Sequence, residues 1–136
     1  MTHQVHPIVL HIDDDPDDRM LIAEAVKKID PSITVVPAAS GEEGLHYLYA
    51  LQQEHKLPCL TIVDMNMPGI DGREVVGKMR QDAVLKAIPV IILTTCCDSE
   101  ADNLPAELQV KCIAKPASVR LLEATMTDIL SYCKFR

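Results

Sequence analysis

Short apolar runs alternate with amphipathic stretches along the chain. Each run holds four or five mostly aliphatic or β-branched residues and stops at a charged or turn-forming residue, which is typical of buried strands. The five runs cover residues 8–12, 33–36, 59–63, 90–93 and 110–114. Pro37 directly follows the second run, and we expect it to end that strand.

The stretches between the runs carry apolar residues at helical spacing. The first predicted helix covers about residues 16–28 and has Pro16 in its first turn, where proline is favourable. The second begins after Ser40, and Glu43 stands at the position that completes a capping box. Both features fix where a helix begins, so they support the strand assignments on either side.

Two further helices are predicted, and the segment between them is not expected to form a continuous helix. The third is predicted from Asp71-Gly72 to about residue 81, and the last is capped by Ser118. Between them, Pro105 interrupts any helix that starts near residue 99, so we expect a short or broken element there. The last helix is predicted to face inward through Val119, Leu122, Met126, Ile129 and Cys133.

Strands that alternate with helices predict an α/β fold with a parallel sheet covered on both faces. A length of 136 residues fits one domain, and we find no internal repeat or second domain between residues 1 and 136. The sequence therefore predicts a single compact unit without a separate output domain.

Composition narrows the functional class. A net charge of −7 leaves no broad basic surface for nucleic acid. No apolar run approaches the roughly 18 residues of a membrane span, and the first residues do not resemble a signal peptide. Five cysteines without paired spacing indicate reduced, mostly buried thiols in a cytoplasmic protein. They are Cys59, Cys96, Cys97, Cys112 and Cys133, and the adjacent Cys96 and Cys97 leave a minor redox or metal role open.

Polar side chains stand where four of the predicted strands end. Asp13 to Asp15 follow the first strand, Asp64 the third, Thr94 the fourth and Lys115 the fifth. Each has an ordinary structural explanation when taken alone: a helix N-terminus, a turn, a β-branched strand residue and a surface lysine. Because the carboxyl ends of parallel strands share one edge of a sheet, we expect these groups to converge there.

Such a set favours phosphoryl chemistry. Clustered carboxylates repel one another unless a cation neutralises them, and Mg²⁺ prefers one or two carboxylates with water and phosphate oxygens. An aspartate can itself be the nucleophile and form an aspartyl phosphate. An ammonium and a hydroxyl nearby would neutralise the remaining phosphoryl oxygens.

These residues resemble the receiver domain of two-component response regulators, in its stand-alone, single-domain form. The resemblance extends over residues 8–132 and rests on the acidic pair after the first strand, Asp64-Met65-Asn66-Met67-Pro68-Gly69, Asp71-Gly72, Thr94 and Lys115-Pro116. It implies a flavodoxin-like (βα)5 fold with strand order 2-1-3-4-5.

The resemblance also implies roles for individual residues. Asp64 accepts a phosphoryl group from a sensor histidine kinase or a phosphotransfer protein. Asp14, Asp64 and the backbone carbonyl of Asn66 bind Mg²⁺, and Asp13 helps through water. The protein is then a phosphoacceptor regulator rather than an enzyme, and acts on an unknown downstream protein as a monomer or homodimer.

The same family pattern describes a switch. Lys115 pairs with the phosphoryl group, and its peptide bond to Pro116 is expected to be cis. Thr94 moves inward to bind the phosphoryl group and pulls on the loop that follows the fourth strand. A new dianion that reorders a loop is a known form of switching.

Two positions depart from the family pattern. An aromatic residue often stands three positions before the lysine, where this chain has Cys112, and alanine often follows the threonine, where it has Thr95. With Pro105 in the fourth helical segment, we expect signal output to use a different surface or a weaker coupling.

Three alternatives remain in view. A calcium-binding EF-hand spacing begins at Asp13, but Asp18 stands where that loop needs glycine and a strand precedes it. A small aspartate-nucleophile phosphatase would use Asp13 and Asp15. A receiver-like binding module that is never phosphorylated is the non-catalytic alternative.

Overall fold

The computed structural model describes residues 6–95 and 110–133. The strands are β1 Ile8–Ile12, β2 Thr34–Ala38, β3 Leu60–Val63, β4 Val90–Thr94 and β5 Lys111–Ala114. The helices are α1 Pro16–Ile29, α2 Gly41–Gln53, α3 Gly72–Gln81 and α4 Val119–Leu130, with a 3₁₀ turn at Leu85–Ala87. None of the helices in these two ranges is long and apolar enough to cross a membrane.

All neighbouring strands pair in parallel, in the order β2-β1-β3-β4-β5. This confirms the predicted doubly wound, flavodoxin-like sheet. β1 and β3 lie at its centre, and the order reverses there, which is the point where such sheets bind ligands. The fourth helical segment, with Pro105, Cys96 and Cys97, lies outside the described residues.

The core consists of two apolar layers, one on each face of the sheet. α1 and α4 cover one face and contribute Ile22, Val26, Met126 and Ile129. On the opposite face, α2 and α3 contribute the second layer, which includes Leu48, Val75, Val76 and Met79. The central strands are thus buried between two apolar layers, and their carboxyl ends carry the polar residues of the candidate site.

Pro37 does not end β2, contrary to the prediction. It lies within the strand, opposite His11 of β1, and the strand continues to Ala38. Proline lacks a backbone N–H and is tolerated only where that donor is not needed. β2 is the edge of the described sheet, so the missing N–H of Pro37 breaks no ladder on its outer side.

The predicted inner face of the last helix is correct except at its first residue. Leu122, Met126 and Ile129 are buried, whereas Val119 is 59% exposed. Val119 is the first residue of the helix and lines a groove beside α1. The buried face of the helix therefore begins at Leu122, one turn later than the spacing predicts.

Cys59 and Cys133 form a disulfide, so the prediction of reduced thiols is wrong for this pair. Cys59 directly precedes β3 and Cys133 follows α4, and their Cα atoms lie 4.8 Å apart. The two residues are 74 positions apart in the sequence, and only the fold brings them together.

The peptide bond between Lys115 and Pro116 is trans, as no cis peptide bond occurs in the described residues. The expected cis bond is therefore wrong for this structure. Trans is the lower-energy form for X-Pro bonds by about 0.5–1 kcal/mol. The side chain of Lys115 reaches the carboxylates at the sheet edge from the trans backbone.

Candidate functional site

Three carboxylates meet at the carboxyl edge of the two central strands. The ladder between strands extends one residue past β1 and β3, because Asp13 N–H donates to Ala38 and Asp64 N–H donates to Ile12. One carboxylate oxygen from each of Asp13, Asp14 and Asp64 lies within 4.8 Å of the other two. Asp13 and Asp64 are buried, while Asp14 is exposed to solvent.

Lys115 enters this cluster from the end of β5. Its Nζ lies 3.2 Å from Asp13 Oδ2, 2.8 Å from Asp18 Oδ2 and 3.6 Å from Asp64 Oδ2. Its backbone N–H donates to the carbonyl of Thr94 at 2.8 Å, which holds the end of β5 against the end of β4. One ammonium thus serves three carboxylates, and its closest partner is Asp18.

Asp13 is held on every side. Its Oδ1 accepts from the N–H of Asp15 at 3.0 Å, and its backbone carbonyl accepts from Arg19 at 2.8 Å. Besides Lys115, Oδ2 faces Nε2 of His11 at 3.6 Å. These contacts leave the Asp13 carboxylate little freedom to rotate.

His11 lies inside β1 and is 1% exposed, so its side chain is packed in the interior. Its contact with Asp13 was not predicted. Residues two apart in a strand share a face of the sheet, so the spacing of His11 and Asp13 carried that signal. The Nδ1 atom of His11 is buried without a hydrogen-bond partner.

Burial raises the pKa of Asp64 from 3.8 to about 6, and the neighbouring charges of Asp13 and Asp14 act in the same direction. The ammonium of Lys115 and a backbone hydrogen bond from Asn66 lower it and offset only part of this effect. Without a further cation, the charged form of Asp64 is therefore costly.

The charged forms of Asp13 and Lys115 are stabilised by their neighbours. Burial alone would raise the pKa of Asp13, but the His11 contact and the Asp15 N–H outweigh it and hold that pKa below its usual value. Burial would lower the pKa of Lys115, but the hydrogen bond to Asp18 and the nearby carboxylates raise it overall. Lys115 is thus a permanent cation, and Asp13 is a permanent anion near neutral pH.

The loop after Asp64 is shaped by glycines. A Cβ at Gly72 would lie 2.5 Å from the Asp64 carbonyl oxygen, so α3 can begin this close to the site only with glycine there. Gly69 has φ +77°, and the N–H of Ile70 next to it donates to Glu42 of α2 at 3.1 Å. Asn66, two residues after Asp64, is exposed.

Thr94 is the last residue of β4 and is fully buried, while Thr95 after it is exposed. The predicted loop movement falls mostly on residues 96–109, outside the described residues. Cys112 is half-buried in β5 opposite Ile92 and packs against the apolar layer under α2 and α3.

Charge and ligand type decide what this cluster can bind. The cluster of Asp13, Asp14 and Asp64 has one neighbouring lysine, Lys115, whose ammonium also contacts Asp18. The site therefore carries excess negative charge. Hard oxygen ligands with excess negative charge suit a divalent cation such as Mg²⁺. The set therefore fits a cation that would neutralise the carboxylates and leave room for phosphate oxygens.

A groove of about 150 Å³ adjoins the site between α1 and α4. Its lining includes Asp18 and Lys115 together with the apolar residues Leu21, Leu93 and Val119. Lys115 therefore contacts the carboxylate cluster and also lines this groove.

Comparison with known proteins agrees with this geometry. A family model described as the response regulator receiver domain matches residues 9–127. The chain is 32% identical over 112 residues to response regulator Rcp1 of Synechocystis sp. (strain ATCC 27184 / PCC 6803 / Kazusa), a match that covers 77% of this chain and 73% of Rcp1.

Solved structures agree as well. The phosphorylated cyanobacterial phytochrome response regulator RcpA superposes with a TM-score of 0.82 at 30% identity and covers 94% of each chain. The Mn²⁺-bound form of response regulator Rcp1 superposes with a TM-score of 0.76 at 28% identity and covers 96% of each chain. The first of these structures is of a phosphorylated protein, and the second is of a Mn²⁺-bound one.

Proposed function

Because this chain belongs to the response regulator receiver domain family, we propose that it accepts a phosphoryl group on Asp64 in the presence of Mg²⁺. The observation that carries the proposal is the meeting of three carboxylates within 4.8 Å, with Lys115 Nζ 3.6 Å from Asp64. Receiver domains are signalling proteins rather than classical enzymes, and the proposal assigns this chain the same kind of role.

Asp64 is the proposed nucleophile, because it alone among the three carboxylates is both buried and left without full charge compensation. One of its oxygens attacks the phosphorus of a phosphohistidine. The phosphorus–nitrogen bond breaks, its electron pair stays on the imidazole, and an acyl phosphate forms. The same carboxylate must be deprotonated for this step.

Asp13, Asp14 and Asp64, with the backbone carbonyl of Asn66, would hold the metal. When bound, Mg²⁺ would neutralise the carboxylates and the phosphoryl oxygens. The existence of a Mn²⁺-bound form of the similar protein Rcp1 supports a divalent ion as the bound metal. The choice of Mg²⁺ rests on the all-oxygen ligand set.

Lys115 and Thr94 are the proposed partners of the phosphoryl group. Lys115 carries a permanent charge beside Asp64, and its backbone is bonded to the Thr94 carbonyl. A phosphoryl group on Asp64 would draw the ammonium of Lys115, and through this bond it would act on the end of β4. The loop after β4 would then report the phosphorylated state.

We propose a sensor histidine kinase or a phosphotransfer protein as the donor, in a cytoplasmic pathway with an unknown protein target. No observation favours the phosphatase that would use Asp13 as its nucleophile. Asp13 is fully buried and held by three groups, a poor state for a nucleophile.

The direct test is intact mass spectrometry after incubation with acetyl phosphate and Mg²⁺. Wild type should gain the mass of one phosphoryl group, and Asp64→Asn should not. Asp128→Asn is the matched control, because Asp128 is exposed on α4. A wild-type protein that stays unmodified with acetyl phosphate and with a phosphorylated kinase would overturn the proposal in favour of a non-phosphorylated binding module.

A further inference from the structure

Asp18 belongs to the acidic run at the start of α1, and the phosphoryl chemistry proposed above gives it no role. Its Oδ2 accepts a hydrogen bond from Lys115 Nζ at 2.8 Å. This is shorter than the contacts of the same ammonium with Asp13 and Asp64, at 3.2 and 3.6 Å. Among the three carboxylates, the one outside the metal cluster holds the lysine most closely.

Burial makes this contact matter. The side chains of Lys115 and Asp18 are 17% and 30% exposed, so neither is an ordinary surface charge. Lys115 Nζ is hydrogen-bonded to Asp18 at 2.8 Å but lies 3.6 Å from Asp64, so a closer approach to Asp64 would have to compete with the Asp18 contact. A phosphoryl group on Asp64 would replace a singly charged carboxylate near the ammonium with a group that carries up to two negative charges.

We propose that Asp18 is a positioning residue that retains Lys115 in the unphosphorylated protein and releases it to the phosphoryl group on Asp64. The inference rests on the proposed function of Asp64. It adds Asp18 as a competitor for the ammonium of Lys115. In this scheme the contact between Asp18 and Lys115 slows phosphorylation of Asp64 slightly. In the phosphorylated state that contact is lost, which changes the charge balance at Asp18 on α1.

The location of Asp18 gives the release a consequence. Asp18 and Lys115 both line the groove between α1 and α4. Departure of the ammonium would leave an uncompensated carboxylate in a groove that Leu21 and Val119 also line. The charge at this groove therefore depends on the state of Asp64.

The test compares Asp18→Asn with wild type and with Asp17→Asn. Asp17 is the exposed neighbour on the same helical turn, and its substitution removes the same charge without touching Lys115. With acetyl phosphate and Mg²⁺, Asp18→Asn should be phosphorylated about two- to fivefold faster than wild type, as expected for loss of a partly exposed ion pair. Asp17→Asn should match wild type, and Asp18→Glu should return the rate toward it.

A second readout is independent of phosphorylation. The ¹⁵N chemical shift of Lys115 Nζ, measured in the protein without phosphodonor, should change in Asp18→Asn and stay unchanged in Asp17→Asn. Equal shifts and equal rates in Asp18→Asn and wild type would overturn the inference while leaving Asp64 as phosphoacceptor. An unmodified wild type would instead overturn the proposed function, and the release step with it.

Discussion

Asp64 combines two properties that oppose each other. It is 7% exposed, and its carboxylate faces Asp13 and Asp14. Burial and these charges raise its pKa to about 6. A residue that must be ionised to react is thus kept in an environment that disfavours its ionised form, and this cost should be visible in folding stability.

We predict that Asp64→Asn stabilises the metal-free protein at pH 7.5. The pKa of Asp64 is raised from 3.8 to about 6, so the folded state binds its proton more tightly than the unfolded state. Its favourable contribution is therefore present below pH 3.8 and is lost as the pH rises through about 6. The expected gain for the variant at pH 7.5 is about 1–3 kcal/mol.

Urea unfolding followed by circular dichroism measures this difference. The gap between Asp64→Asn and wild type should narrow as the pH falls from 7.5 toward 5, and Mg²⁺ should raise the stability of wild type only. An Asp64→Asn variant less stable than wild type at pH 7.5 without metal would contradict the electrostatic account.

The rate of phosphorylation should follow the same titration. Only ionised Asp64 is a nucleophile, so at low Mg²⁺ the rate should fall as the pH drops through about 6. Saturating Mg²⁺ should move this midpoint to lower pH, because a bound cation favours the carboxylate. A midpoint that does not move with Mg²⁺ concentration would mean that the cation does not contact Asp64.

Helix α3 shows how an element sets the geometry of the site. It begins at Gly72, whose N–H donates to the Met65 carbonyl at 3.0 Å and where a Cβ would lie 2.5 Å from the Asp64 carbonyl oxygen. At Gly77, one and a half turns further along, a Cβ would meet no atom within 4 Å beyond the adjoining residues and the nearby backbone of the same helix. The same helix thus holds one glycine required by contact and one that is not.

This pair gives a matched prediction. Gly72→Ala should destabilise the protein by about 1–3 kcal/mol, because its methyl group would overlap the backbone of Asp64. It should also slow phosphorylation, since relief of the overlap must move that backbone. Gly77→Ala should instead stabilise by about 0.5–1 kcal/mol, the usual gain for alanine in a helix. Thermal unfolding of both variants checks this, and equal effects would contradict the close packing at Gly72.

The elements that sequence analysis predicted well are those with local causes. The strands follow from apolar runs, and the caps of α2, α3 and α4 follow from a single side chain at each helix start. The continuation of β2 through Pro37 was missed because it depends on that strand lying at an edge. A strand cannot be known as an edge strand before the sheet order is known.

The residues of the site also separate into those that local sequence patterns predict and those that depend on the packing of the whole fold. Asp13, Asp14, Asp64 and Lys115 were placed together because each follows a strand, and parallel topology then brings them to one edge. The 2.8 Å contact between Asp18 and Lys115 was missed. Asp18 lies on α1, and its reach depends on how that helix packs against the sheet, which no local pattern encodes.

At the scale of the whole molecule, the disulfide links two segments that lie far apart in the sequence. It joins the start of β3 to the residues after α4, both at the opposite end of β3 from Asp64. We predict that reduction lowers the free energy of unfolding by about 2–4 kcal/mol, because the bridge restricts a long loop in the unfolded chain.

Thermal unfolding with and without a thiol reductant measures this effect, and Cys112→Ser serves as a control outside the bridge. The midpoint should fall on reduction, and peptide mapping without reductant should recover a fragment that links positions 59 and 133. Rapid alkylation of Cys59 and Cys133 in the native, unreduced protein would contradict the bridge.

The central claim is that a phosphoryl group becomes attached to Asp64 and to no other carboxylate of the cluster. Borohydride reduction after treatment with acetyl phosphate and Mg²⁺ converts an acyl phosphate to an alcohol, and peptide mapping then locates the change. The account predicts homoserine at position 64, with Asp13 and Asp14 intact. Homoserine at position 13 or 14, or unchanged aspartate at all three positions in a protein that binds Mg²⁺, would contradict it.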